Sequence, residues 1–297
     1  MRVLVAGATS VPGIPVVREL IARGHDVVGL TRAPGSTGAI AETGAHPAVV
    51  DVFNPAQLNV VLAEQRPEVV VSLLTTLPKR GPMRLTDFEP ARRLWSEGVD
   101  NLLAAARRSG VRRVVAESVI FAYGYGPVGP PLLEESEPYP MPPPKGGEAM
   151  LAALRGMEQN VLGADGVVLR YGFFYGDDVA HIQTMRRLVK FWALPVPSGH
   201  SMLSFIHIDD VARATADAVE RGPGGQLYNI VDDRPESFGD FIRALAKRAG
   251  APRPLTVPNR LFALAAPYAA LAMGNTWLPL SNAKAKAELG WAPVTRR

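Results

Sequence analysis

The 297-residue chain has no cysteine, which excludes disulfides, thiolate nucleophiles, iron–sulfur clusters and cysteine-ligated zinc. Such a chain suits a reducing compartment, and the cytoplasm is the expected location. Aromatic residues are sparse at 7%, and no run of Lys and Arg reaches five. The basic residues come as scattered pairs (Arg92–Arg93, Arg107–Arg108, Arg112–Arg113, Arg186–Arg187). Despite 32 Lys+Arg against 28 Asp+Glu, no nucleic-acid partner is therefore expected. Long apolar runs are missing too. The longest helical candidate, Leu261 to Met273, is interrupted by Pro267 and falls short of the roughly 20 residues of a membrane span, so no membrane association is expected. Met1–Arg2 leads directly into a strand-like run, leaving no room for a signal peptide. The five histidines show no metal-ligand spacing, and there is no Gly-x-Ser-x-Gly elbow, so neither a metal site nor a serine hydrolase is expected. His207, just before Asp209–Asp210, reads as a packed residue at a strand-to-helix junction where an Asp caps the helix.

What is present is globular: 47% hydrophobic and 20% charged residues, in a length that suits two lobes or one large α/β unit. Val/Leu-rich runs at Arg2–Ala6, Asp26–Leu30, Ala48–Asp51, Glu68–Thr75, Arg112–Ser118 and Gly166–Gly172 alternate with helical spacing at Gly13–Arg23, Pro55–Gln65, Pro90–Arg108 and Gly146–Leu162. Continuous apolar strands separated by helices predict an α/β fold, a doubly wound parallel sheet with its ligand crevice at the carboxyl ends of the strands. The rhythm changes near residue 172. Helices are expected at Ile182–Trp192, Asp209–Glu220, Ser237–Ala249, Asn259–Met273 and Ser281–Leu289, and strands at Ser201–Ile208 and Leu227–Val231. The expected division is a dinucleotide-binding domain over 1–172 and a smaller substrate lobe over 173–297, with some interleaving. The Pro- and Gly-rich stretch 124–145 is a long loop beside the crevice.

The first 25 residues carry a strand, a glycine turn and a helix start. Gly7 permits the turn, and Gly13 lets the helix pack close to the sheet. The open amides and partial positive charge of a helix N-terminus suit a diphosphate, which assigns Gly7, Thr9, Ser10, Val11 and Gly13 to a Rossmann-type cofactor site. Ser10 stands where a glycine is common, and Pro12 lacks an N–H, so the phosphate contacts fall to the Ser10 and Val11 amides. The second strand ends at Thr31–Arg32. With no acid there to accept from a ribose 2′-hydroxyl, Arg32 is placed to pair with a 2′-phosphate, and NADP(H) is expected in preference to NAD(H). Asp51 and Val52 are placed for the adenine, and Leu74 and Thr75 for the adenosine ribose.

Together with Asn101–Arg107, Gly110–Val115, Tyr123–Gly124, Val168–Gly176, Phe205–Ala212, Tyr228–Val231 and Ala287–Pro293, these residues resemble the extended short-chain dehydrogenases/reductases, in particular the NAD-dependent epimerase/dehydratase branch. The resemblance spans nearly the whole chain. It implies a cofactor lobe followed by a substrate lobe, Tyr171 near the nicotinamide, and a homodimer formed through two helices such as Pro90–Arg108 and Gly146–Leu162. It also implies a Tyr with a Lys four residues later on one helix, where they share a face, and a Ser or Thr helper on the preceding strand. Here the chain departs from its group: no tyrosine is followed at that spacing by a lysine, and the helper position falls on Val119, with Ser118 one residue early. The replacements are Tyr139, on the loop six residues before Lys145, Lys145 itself at the start of the next helix, and Ser118. Glu134, Glu135 and Glu137 are expected to form an exposed acidic patch. The resulting expectation is an NADP(H)-binding reductase, epimerase or dehydratase acting on a nucleotide sugar or other oxygenated small molecule. Its alternatives are a redox-neutral lyase, cyclase or isomerase on the same scaffold, and a non-enzymatic dinucleotide sensor.

Overall fold

The computed structural model describes residues 1–78, 81–127, 132–136 and 141–294. The first half alternates strand and helix: β1 (Arg2–Ala6), α1 (Gly13–Ala22), β2 (Asp26–Thr31), α2 (Thr37–Ala41), β3 (His46–Val49), α3 (Pro55–Gln65), β4 (Val69–Ser72), α4 (Glu89–Arg93), α5 (Val99–Arg108), β5 (Arg113–Val119), α6 (Glu148–Gly163) and β6 (Val167–Tyr171). After these come β7 (Phe173–Tyr175), α7 (Ala180–Lys190), β8 (Val196–Pro197), β9 (Met202–Leu203), β10 (Phe205–His207), α8 (Ile208–Arg221) and β11 (Gln226–Ile230). The chain closes with α9 (Phe238–Arg248), β12 (Thr256–Val257), α10 (Asn259–Ala265), α11 (Pro267–Ala269), β13 (Trp277–Leu278) and α12 (Ala283–Leu289).

Seven parallel strands form the main sheet in the order β11-β6-β5-β4-β1-β2-β3. The winding reverses between β1 and β4, which puts the crevice above their carboxyl ends. Both faces are covered, so the central strands are apolar on both sides: Val3, Leu4, Val5, Val69, Val70 and Val71 are all fully buried. Helices α3, α5 and α6 build a core on one face through Leu58, Leu102 and Leu154. On the other, α1, α8 and α12 pack through Val17, Val211 and Leu289.

The chain crosses residue 172 and then returns. β11 pairs with β6 from Gln226↔Val167 to Ile230↔Tyr171, so the main sheet takes its last strand from the second half. Without it β6 would be an open edge. The rest of that half gathers a third core around Phe205, Phe238 and Phe241. Within it the single strand expected over 201–208 is two short ones. Ser204 divides them, its hydroxyl donating to the Leu278 carbonyl and accepting from the Leu280 amide, so β9 pairs with β13 and β10 with β7. The helix expected over 259–273 likewise breaks at Ala266, just before Pro267. Among the described residues, no helix is long and apolar enough to cross a membrane.

Candidate functional site

A cleft of about 490 Å³ lies over the carboxyl ends of β1, β2 and β4. Its floor is the turn from β1 into α1. Gly7 has φ +84°, and a Cβ there would collide with the Leu73 carbonyl beyond β4. A Cβ on Gly13 would strike the carbonyls of Gly7 and Ala8. These two glycines let three backbone segments meet beneath the cleft, as the sequence suggested. The Ser10 amide does not face a ligand: it donates to the Gly7 carbonyl at 2.9 Å, closing the turn. That corrects the assignment of its N–H to phosphate. The Ser10 Oγ, in contrast, is buried in the cleft wall without a hydrogen-bond partner among the described residues. α1 has no side-chain cap, since Pro12 stands at its N-cap. An uncapped helix end beside an orphaned hydroxyl fits a dinucleotide's diphosphate.

Thr9, Thr31, Arg32, Asp51 and Val52 all line the same cleft. The Thr31 hydroxyl accepts from the Ala33 amide at 3.2 Å and so holds the end of β2 in a turn that presents Arg32. Arg32 is exposed at the rim with no carboxylate partner among the described residues. Asp51 uses one oxygen to accept from the Phe53 amide at 3.0 Å. Leu74 and Thr75 form the opposite wall. Val11 is exposed, and neither it nor Gly13 is among the lining residues.

The outer wall was not foreseen. Arg93 lies 3.9 Å over the Phe53 ring and pairs with Glu97 at 2.8 Å, so a stacked guanidinium borders the cleft beside Pro90 and Leu94. Asn101 donates to the Val52 carbonyl at 3.1 Å and ties α5 to this wall.

Tyr171 is turned away from the cleft. It is buried against α8, its hydroxyl 2.7 Å from that of Thr215, because alternation along β6 sends its ring to the α8 face. The nicotinamide assignment therefore does not hold for its side chain. Ser118 is also withdrawn: its hydroxyl donates to Glu158 at 2.6 Å inside the protein. Glu158 in turn receives two bonds from Arg170, at 2.7 and 2.6 Å, and all three residues are buried. A hydroxyl held by a paired, buried carboxylate is a packing element, not a crevice acid. Lys145 is exposed in a turn before α6, which begins at Glu148 and not at the lysine. Tyr139 and Glu137 lie outside the described residues. The acidic patch is part structure: Glu135 accepts from the Asn229 amide at 2.7 Å and is half-buried, while Glu134 is exposed. His207, not an aspartate, caps α8, its Nδ1 accepting from the Asp209 amide at 3.2 Å.

α6, the helix that follows β5, contains neither tyrosine nor lysine. Its Met150, Leu151 and Leu154 are buried, and Arg155 reaches back to the carbonyls of Ala122, Tyr123 and Met141. One titratable group beside the cleft went unremarked in the sequence. Glu117, on β5, is 5% exposed, and its Oε2 has no hydrogen-bond partner among the described residues. Burial pushes its carboxyl up to about 8, with the nearby Thr75 hydroxyl pulling the other way. Thr75 also accepts from the Trp95 indole N–H at 3.4 Å. Among the described residues no cluster suited to a metal ion is found.

A model of the NAD dependent epimerase/dehydratase family matches residues 3–231. The chain is 36% identical over 304 residues to a 3-diazoavenalumate denitrifying reductase of a Streptomyces species, covering 99% of this chain and 96% of that protein. It is 29% identical over 262 residues to a 4-hydroxy-2-methyl-3-oxo-4-farnesyl-3,4-dihydroquinoline-1-oxide ketoreductase of Stigmatella aurantiaca, covering 84% and 74% of the two chains. The solved structure of a Thermus thermophilus UDP-glucose 4-epimerase in complex with NAD shares the fold, with a TM-score of 0.78 and 24% identity over 100% of this chain and 95% of that one.

Proposed function

The chain belongs to the NAD-dependent epimerase/dehydratase family, and from that membership we propose that it is an NADP(H)-dependent reductase of a small, electron-poor aromatic compound, such as an aryl diazo compound or an aryl ketone. It is an enzyme of the oxidoreductase/epimerase type. The observation that carries the choice among those activities is α6, which has no Tyr–Lys pair to draw a proton from a substrate hydroxyl. Epimerisation and dehydration of a sugar begin by oxidising such a hydroxyl, whereas reduction of an electron-poor acceptor needs no base. Two relatives named as reductases, one of a diazo compound and one of a quinoline oxide, support the aromatic substrate class over a nucleotide sugar.

When bound, a reduced nicotinamide supplies the hydride. The chain's own residues do the rest. The α1 terminus and the Ser10 hydroxyl receive the diphosphate, and Asp51 and Val52 border the adenine. Arg32 grips a 2′-phosphate, a charge-assisted contact that an NAD ribose cannot make. The third core, around Phe205 and Phe241, closes the substrate side.

The test is to incubate the purified protein with NADPH and a panel of aryl diazo compounds, aryl ketones and UDP- or dTDP-sugars while following absorbance of the reduced nicotinamide. Consumption of NADPH with aromatic acceptors alone is the expected result. Conversion of a nucleotide sugar with no net consumption of cofactor would overturn the proposal.

A further inference from the structure

One helix of the second lobe ends on an unexpected residue. The last turn of α7 closes in a Schellman arrangement: the Ala193 amide donates to the Leu188 carbonyl at 3.0 Å, and the Trp192 amide to the Val189 carbonyl at 3.3 Å. That geometry puts one residue in the left-handed region, where glycine is usual, and here it is Trp192 at φ +57°. A bulky side chain is strained there, and this one gains no cover in return. Trp192 is 54% exposed and Phe191 beside it 79%. Two large aromatic side chains thus stand in water where folding alone would favour a glycine.

A second segment joins them. β12 pairs with β8, and the Val196 amide donates to the Leu255 carbonyl at 2.8 Å. The stretch after Trp192 therefore runs beside the stretch that leads into α10. Leu255 is exposed, and so are Leu261 and Leu264 of α10, a helix with no fully buried residue. Single exposed leucines are ordinary, but a lobe that gathers three of them with two aromatic rings presents an apolar surface to something.

The charge around that surface has one sign. Residues 179–208 and 241–287 contain neither Asp nor Glu. Arg187, Lys190, Arg253 and Arg260, from the same two stretches, are exposed and have no carboxylate partner among the described residues. Exposed aromatic and aliphatic side chains ringed by unpaired cations suit anionic lipid: the rings enter the headgroup layer while the cations meet the phosphates.

We propose that this face of the second lobe docks on an anionic lipid bilayer, with Phe191 and Trp192 inserted at headgroup level and Arg187, Lys190, Arg253 and Arg260 paired with lipid phosphates. Lying against a bilayer needs no spanning helix, so the lack of one among the described residues bears only on crossing. The surface contact replaces the expectation of no membrane association, which came from the missing long apolar run. None of these residues lines the cofactor cleft, and the docking is independent of the reductase reading.

The test is sedimentation of the full-length protein with vesicles of phosphatidylcholine alone and of phosphatidylcholine mixed equally with phosphatidylglycerol. Binding to the mixed vesicles, weakened by added salt, is expected. Trp95 and Trp291 are buried and Trp277 is half-buried, so a blue shift of indole emission on binding reports Trp192. Trp192→Gly should lower vesicle binding about tenfold or more while holding or raising Tm, because glycine suits the left-handed site. Arg187→Glu combined with Lys190→Glu should abolish the preference for the anionic vesicles. Binding to neither vesicle, or equally to both, would overturn the proposal. So would a Trp192→Gly variant that loses Tm and keeps vesicle binding, the pattern of a purely structural tryptophan. Self-association that Trp192→Gly abolishes, without vesicle binding, would give the face to a second copy of the chain and overturn the proposal as well.

Discussion

Replacing Glu117 by glutamine should change how stability responds to pH, independently of any substrate. Burial holds the native carboxyl up at about 8, against an ordinary glutamate value of about 4.3 in the unfolded chain. Between those values the native state keeps a proton that the unfolded state has released, so stability falls as pH rises. The contribution is whole below about pH 4 and gone above about pH 8. Each decade of proton affinity is worth about 1.36 kcal/mol, which puts the loss between about pH 5 and pH 8 at about 3 kcal/mol from this one group. At about 2 °C per kcal/mol for a chain of this size, that is about 6 °C in Tm. Glutamine cannot titrate, so its thermal-unfolding midpoints should decline less steeply across the same range, and the two curves should converge toward acid and separate toward alkali. Histidines titrate equally in both proteins and cancel in the difference. Parallel curves, offset by a constant amount from pH 5 to pH 8, would refute the reasoning by showing that the carboxyl is ionised in the native state throughout.

Glu158→Gln should destabilise the protein by about 3–5 kcal/mol in urea unfolding, because it leaves the buried Arg170 guanidinium without its counter-charge; a loss under about 1 kcal/mol would show that the pair is hydrated. Gly13→Ala should weaken NADPH binding and lower Tm together, since the new methyl must displace the carbonyls of Gly7 and Ala8; unchanged binding in titration calorimetry would remove that turn from the site. Tyr139→Phe should lower reductase turnover about 100-fold if that tyrosine supplies the proton, and an unchanged rate would remove it from the chemistry.

Much of the fold was legible because a parallel sheet writes itself as short valine-rich runs, and β1, α3 and β6 fall within a residue or two of their expected bounds. The floor of the cleft was legible for a related reason, since only glycine fits where Gly7 meets Leu73. The catalytic side was harder to read. Ser118 has the right residue type one position early, and period-two alternation sends that position to the opposite face, into the Glu158–Arg170 pair. Arg93 over Phe53 joins residues from α4 and the loop after β3, a contact with no local signature. Glu117 did leave a signal: a glutamate within an apolar run expected to be a central strand, where the residue is rarely buried without a partner. The helix between Arg93 and Val99 passes through a wider turn at Leu94–Gly98, where the Ser96 hydroxyl donates to the Arg92 carbonyl at 3.0 Å, and spacing alone does not reveal that.

What the cleft over α1 holds decides both the cofactor and the chemistry. Titration calorimetry of cofactor-stripped wild type and Arg32→Ala with NADPH and with NADH tests it directly. Wild type should bind NADPH more tightly than NADH, and the substitution should weaken NADPH about tenfold or more while changing NADH little, as expected for one charge-assisted phosphate contact of about 1.5–3 kcal/mol. Equal weakening of both nucleotides would contradict the role given to Arg32, and no heat with either would contradict the cofactor site itself.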